Sequence, residues 1–265
     1  MKIKYKVSFW VDKDAQNMIK ELKNFGMIFK KDDFKVIEFS DDQQDCELLK
    51  AIFKKYDIDL DKRSIFSDED KINSDYLMTQ ATWHYGYPQP EDYYLEACYD
   101  LLNYCSECGI GKQQINPLRF SKEPKWGRRH FLQLNWILDE YFVPPQVYNS
   151  WFKNLNIGFK NVINHKSNII LENTYQLDIP TVECDLLVDS FVLDVCKKCF
   201  RKKYRPIFVG KYPALKQKTQ LPIFKSKEFF GSGARAYNLI YINNYLYKKM
   251  IDKKIEGLNF IPTDN

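Results

Sequence analysis

Cys105-Ser106-Glu107-Cys108-Gly109 and Cys196-Lys197-Lys198-Cys199 are the stretches around which this 265-residue chain is read, with 87 residues between Cys108 and Cys196. A C-x-x-C turn aims two sulfurs at one point, and two such turns make up a four-thiolate zinc site. We therefore read Cys105, Cys108, Cys196 and Cys199 as ligands of one structural zinc that staples distant segments. A redox pair of thioredoxin type occurs once, at a strand-to-helix junction, and needs no second copy. Seven cysteines are an odd number for a disulfide framework, and the start M-K-I-K-Y-K-V-S-F has no apolar leader core. Both features point to a reducing cytoplasmic compartment. Gly109 suits a turn that needs positive φ, whereas Phe200 stands at the matching place after Cys199, so the second half-site reads as less regular. Cys46, Cys98 and Cys184 have no partner at ligand spacing and read as small buried hydrophobes.

Apolar residues make up 45% of the chain and aromatics 16%, enough to build a core and to exclude wholesale disorder. No apolar run approaches the roughly 20 residues that span a bilayer, so no membrane partner is expected. The net charge of +5 is unevenly spread. Residues 32–75 hold fourteen acids against seven bases, while 195–227 hold eleven bases and no acid. That polarity favours an acidic partner near the second thiol pair, although a solvated lysine-rich loop explains it equally well.

Periodicity predicts the elements. Ile3, Tyr5, Val7, Phe9 and Val11 alternate as in a half-buried strand, and Asp12 or Asp14 then caps a helix running to Gly26. A second strand at 34–39 and a helix with Leu48, Leu49, Ile52, Phe53 and Tyr56 on its buried stripe follow. Residues 57–74 turn polar and read as a connection or exposed edge. Beyond it, 76–85 reads as a short helix or strand, and Glu91 or Asp92 starts a helix that delivers Cys105. Residues 131–142 fit strand or helix equally. A helix from Pro145 closes at Gly158, strands cover 159–163 and 174–179, and Phe229–Gly233 is a turn. A strand at 237–242, a helix capped by Asn243 or Asn244, and a strand at 258–261 complete the tail. This order predicts an α+β protein: a small N-terminal α/β subdomain over residues 1–75, then a larger α+β domain over 76–265 stapled by the zinc site.

Catalytic chemistry has few candidates. His84, His130 and His165 stand in no ligand motif such as H-E-x-x-H, and four thiolates leave a tetrahedral zinc no open position for an activated water. Gly231-Ser232-Gly233-Ala234-Arg235 lacks the strand, glycine spacing and helix of a phosphate-binding loop and reads as a turn. No catalytic residue is assigned, and the chain is read as a binder, not an enzyme. Basic and aromatic residues interleave at 125–129 and 197–205, where cations could meet phosphates and Trp126, Phe200 or Tyr204 could stack on bases. The plainer explanation is that these cations offset the charge of the thiolate site.

The stretch C-S-E-C-G-I-G, the later C-K-K-C, the tail S-K-E-F-F-G-S-G, the Y-L-Y-K-K-M helix and G-L-N-F-I-P together resemble bacterial proteins of the double-CXXCG type. The resemblance runs from about Cys105 to Pro262. It departs from the pattern at Phe200 and in the long span between the pairs. It implies a cytoplasmic immunity protein of a contact-dependent toxin system, one that neutralises a cognate toxin by covering its active surface. The alternative is a zinc-dependent nucleic-acid-binding protein of a defence or regulatory system.

Overall fold

Alternating side chains build the first strand of the computed structural model, which describes residues 1–29 and 32–264. β1 (Lys2–Trp10) turns Tyr5, Val7 and Phe9 inward and lies between β2 (Phe34–Ser40) and β3 (Asp61–Ile65), antiparallel to both. Two helices supply the apolar side chains that close this core. In α1 (Lys13–Lys23) the Asp12 carboxylate accepts the Ala15 N–H at 2.8 Å as N-cap, and Met18 and Leu22 are fully buried. In α2 (Cys46–Lys55) the buried stripe is Cys46, Leu49, Ile52 and Phe53. Leu48, expected on that stripe, is 54% exposed, because one step along a helix turns a side chain by about 100°.

An α/β subdomain was expected here, but every strand contact is antiparallel. β2 starts beside the end of β1, with Phe34 opposite Trp10 and Ser40 opposite Lys4, so it runs back along β1 and the pair is antiparallel. The chain divides into two compact units, Met1–Asp70 with Ile207–Lys211 and Lys71–Pro206 with Tyr212–Asn265. Within the first, Gly210 N–H donates to Ser64 Oγ on β3 at 2.7 Å. The polar stretch expected as a connection or exposed edge contains β3, the largely exposed edge strand of this sheet, and also α3 (Asp68–Ile72), which opens with a capping box. Asp70 N–H donates to Ser67 Oγ at 3.1 Å and Ser67 N–H to the Asp70 carboxylate at 2.9 Å.

The second unit is built from three sheets. In chain order its elements are β4 (Tyr76–Ala81), α4 (Tyr94–Cys98), β5 (Tyr99–Asp100), β6 (Gln113–Gln114), β7 (Arg119–Phe120), β8 (Leu132–Leu134) and β9 (Ile137–Val143). There follow α5 (Pro145–Val147), β10 (Gly158–Asn164), β11 (Ile170–Asp178), β12 (Leu193–Val195), β13 (Lys202–Tyr204), β14 (Ile223–Phe230), β15 (Tyr237–Asn243), α6 (Asn244–Asp252) and β16 (Leu258–Pro262). Six strands pair in the order β12-β13-β14-β15-β4-β16, five in the order β7-β10-β11-β9-β8, and β5 pairs with β6 alone. Tyr141, Val143 and Leu177 of the five-stranded sheet share a core with Leu77, Ile240 and Ile242 of the six-stranded one and with Leu246 and Met250 of α6. The other face of the five-stranded sheet buries Phe120, Leu132, Phe142 and Val162 with Trp126 and Cys98. Each large side chain so buried stabilises by about 1.5–3 kcal/mol.

Residues 131–142, ambiguous in sequence, form the β8–β9 hairpin. Both faces are covered, so Glu140 to Val143 are all buried and the alternation that marks a half-exposed strand is lost. Buried Glu140 accepts Lys225 Nζ at 2.5 Å, as a charge removed from water requires. Two predicted helices end early. The one before Cys105 stops at Cys98, because an extended Tyr99 enters the core and pairs with Gln114. The one from Pro145, continued by wider and tighter turns to Leu155, stops at left-handed Asn156 (φ +55°), and Gly158 opens β10 instead. Among the described residues no helix is long and apolar enough to cross a membrane.

Candidate metal centre

Each thiol pair sits beyond the end of a two-stranded ribbon, the first between β5 and β6 and the second between β12 and β13. The backbone folds alike in both. Cys105 N–H donates to Ile110 O at 2.9 Å and Gly109 N–H to Cys105 O at 2.8 Å; Cys196 N–H donates to Arg201 O at 3.0 Å and Phe200 N–H to Cys196 O at 2.9 Å. Gly109 has φ +80° and Phe200 φ +59°, so both half-sites take the left-handed turn. The second is as regular as the first, contrary to the expectation from its missing glycine.

These turns bring the four predicted ligands together. All four sulfurs lie within 4.8 Å of one another, with Cys105 Sγ 3.8 Å from Cys196 Sγ and Cys108 Sγ 3.6 Å from Cys199 Sγ. Zinc–sulfur bonds of about 2.3 Å arranged tetrahedrally put sulfurs roughly 3.8 Å apart. The cluster therefore has the size and the donor set that a closed tetrathiolate ion requires. Cys105, Cys108, Cys196 and Cys199 would hold the ion, which would crosslink the two ribbons.

Electrostatics around the cluster favour the thiolate at Cys199 and Cys105 and oppose it at Cys108. The Arg201 backbone N–H, followed by its guanidinium, draws the Cys199 thiol down to about 6, and the Cys108 N–H lowers Cys105. Burial pushes Cys108 up to about 12, so a bound cation is what would favour its thiolate. Four thiolates and a dication carry a net charge of about −2. Lys203, buried, answers this charge and donates to Cys108 O at 2.9 Å, Arg235 O at 3.1 Å and Gly233 O. Arg201 donates to Asn103 O at 2.6 Å. Both cations tie the second ribbon to the first knuckle.

Close approach explains the glycines of C-S-E-C-G-I-G. A Cβ on Gly109 would fall 2.2 Å from Ala234 O, and one on Gly111 would fall 2.0 Å from Asn103 O and 2.2 Å from the Arg201 guanidinium. The Gly231–Arg235 turn is thus the wall that packs on the first knuckle. Phe200 is the opposite case: 76% exposed, it holds a left-handed conformation that costs an L-residue about 1–2 kcal/mol. We expect Phe200→Gly to stabilise the zinc-loaded protein by about 1 kcal/mol, less than the full strain because glycine also loosens the unfolded chain. Urea unfolding at fixed zinc concentration measures this, and an unchanged or lowered midpoint would refute the strain assignment.

The remaining candidates separate. Cys46 and Cys98 are buried as expected, but Cys184 is only half-buried, and its thiol donates to Gln217 O at 3.4 Å. The ligand set contains no histidine, and His130 Nδ1 accepts the Glu256 N–H at 2.9 Å. Trp126, one of three rings weighed as a base-stacking platform, is buried and donates Nε1–H to Asn173 O at 2.7 Å, and Arg129 lies over the Trp83 ring. Lys197, Lys198, Phe200, Lys202 and Arg205 remain exposed. Sequence reasoning missed Gly111 and Lys203. A second glycine two residues after the knuckle was a readable signal for the first, whereas nothing local marks one lysine of a basic run as buried.

The chain matches no protein-family model and no curated protein sequence. Fold and site define an α+β protein with a four-cysteine group positioned to hold a metal ion.

Proposed function

We propose that the chain is a non-enzymatic, zinc-stapled binding protein that neutralises a cognate protein toxin. The observation that supports the zinc-stapled part of this reading is the convergence of four sulfurs from two ribbons. Four thiolates leave a tetrahedral ion no position for water or substrate, so the ion's part is to hold a surface in shape. The resemblance of the cysteine motifs and the tail to double-CXXCG immunity proteins supplies the partner class. A cell expressing the toxin encoded beside this gene should survive when the chain is co-expressed, and the two purified proteins should form a stoichiometric complex by calorimetry. Undiminished toxicity at an excess of this protein rejects the reading.

A second reading, zinc-dependent nucleic-acid binding, is favoured by the exposed cations Lys197, Lys198, Lys202 and Arg205 around the exposed Phe200 ring. It requires an affinity for DNA or RNA that falls steeply with salt.

A further inference from the structure

Beside the first knuckle, within the second unit, lies a pocket of about 220 Å³. Tyr94, Tyr104, Trp136 and Tyr237 form its walls, and Lys112 and Arg235 bring in two positive charges. The Gly231–Arg235 turn makes one side, and the knuckle glycine Gly109 another. Three observations set this pocket apart.

First, the cations lack acid partners. Among the described residues no carboxylate lies within ion-pair distance of Lys112 or Arg235. Lys112 Nζ rests 5.2 Å from the Tyr99 ring centre, which steers the amine without neutralising it. Arg201 and Lys203, in the cluster's own network, are by contrast engaged with backbone carbonyls. Second, Trp136 is the last residue of the two-residue connection between β8 and β9 and has φ +69°, where glycine or asparagine is the usual occupant. A bulky ring held at such a strained position, 39% exposed, matches the clustering of backbone strain at binding sites. Third, its ring is already oriented by neighbours, with centroids 4.5 Å from Tyr87 and 5.9 Å from Tyr94. That preorganisation lowers the cost of stacking a ligand.

We propose that this pocket binds a phosphorylated planar heterocycle, either a free nucleoside monophosphate or the phosphorylated end of a single nucleic-acid strand. The heterocycle lies against the Trp136 and Tyr94 rings, and the phosphate, with a charge near −2, sits between Lys112 and Arg235. Stacking on aromatic rings is tolerant of base identity, so the site selects phosphate on a flat ring system more than one base. The negative groups that act on these walls are Cys108 and Cys105, ahead of Glu96, on Tyr104, and Asp139 on Tyr94; the Asp139 carboxylate also accepts the Asn238 N–H at 3.4 Å. The site goes beyond toxin binding and does not depend on it.

The test is calorimetric titration of the zinc-loaded full chain with AMP, GMP, CMP and UMP, with adenosine and inorganic phosphate alone, and with a 5′-phosphorylated tetranucleotide. At least one monophosphate or the tetranucleotide should saturate below ~1 mM, at least tenfold tighter than adenosine or phosphate. The comparison between mononucleotide and tetranucleotide identifies the source. Arg235→Gln should weaken binding tenfold or more, with Lys112→Gln as a second variant should the first fail to fold. Circular dichroism and zinc content verify that each variant is intact. No saturation by any nucleotide, equal binding of bare phosphate, or full affinity in a folded variant overturns the proposal.

Discussion

Cys105→Ser and Cys199→Ser are each expected to bind zinc more weakly and to melt roughly 8–16 °C below the parent protein. Structural zinc contributes an apparent 10–16 kcal/mol to folding in small peptides. A three-thiolate remnant keeps part of that, so a loss of about 4 kcal/mol is a conservative figure. For a unit of this size each kcal/mol moves the midpoint by about 2–4 °C. The cluster joins segments that are otherwise held by Lys203, Arg201 and a small apolar patch of Ile110, Ala236 and Phe229. Metal analysis should find one zinc per parent chain, and cobalt substitution should give the absorption of a tetrahedral tetrathiolate. A folded parent with less than a tenth of an equivalent of metal, and a melt unmoved by chelator, would remove the metal centre from this account.

The second large effect is at Gly111. A methyl group there meets the Asn103 carbonyl at 2.0 Å and the Arg201 guanidinium at 2.2 Å, and the backbone φ of +101° is itself closed to an L-residue. The guanidinium can swing away, but the carbonyl belongs to the loop that carries Cys105 and cannot. Gly111→Ala should therefore cost ~3 kcal/mol or more, through strain added to a lost Arg201 bond. Gly127 is the control: it too has positive φ (+56°), yet nothing lies within 4 Å of a Cβ there, so Gly127→Ala should cost only about 1 kcal/mol. Denaturant unfolding of both variants measures the two costs, the excess at Gly111 combining the clash with its less accessible φ. Equal penalties would show that the close approach at Gly111 is not a packing constraint. Reduced zinc affinity in Gly111→Ala alone would tie the constraint to the knuckle.

Local chemistry carried the parts of the fold that could be read residue by residue. β1, β2, α1, α6 and the last strand follow directly from period and caps, as with Asp12 and Asn243, each of which accepts the N–H three residues on. Reading fails where burial removes the contrast that periodicity depends on. Glu140 to Val143 are inside on both faces, so strand and helix look alike there. It fails again where a single side chain decides the backbone from a distance: Tyr99 leaves its helix to reach the core.

The candidate site divides in the same way. Four cysteines in two C-x-x-C turns are a local pattern, and their chemistry names a thiophilic ion. That they converge, that Phe200 adopts the turn of a glycine, that Lys203 is buried while Lys202 beside it is not, and that Trp126 faces inward all depend on which segments pack together. Spacing along a chain encodes the angles available within a turn. It does not encode the distance between two turns 87 residues apart, because that distance is set by the summed packing of the sheets between them.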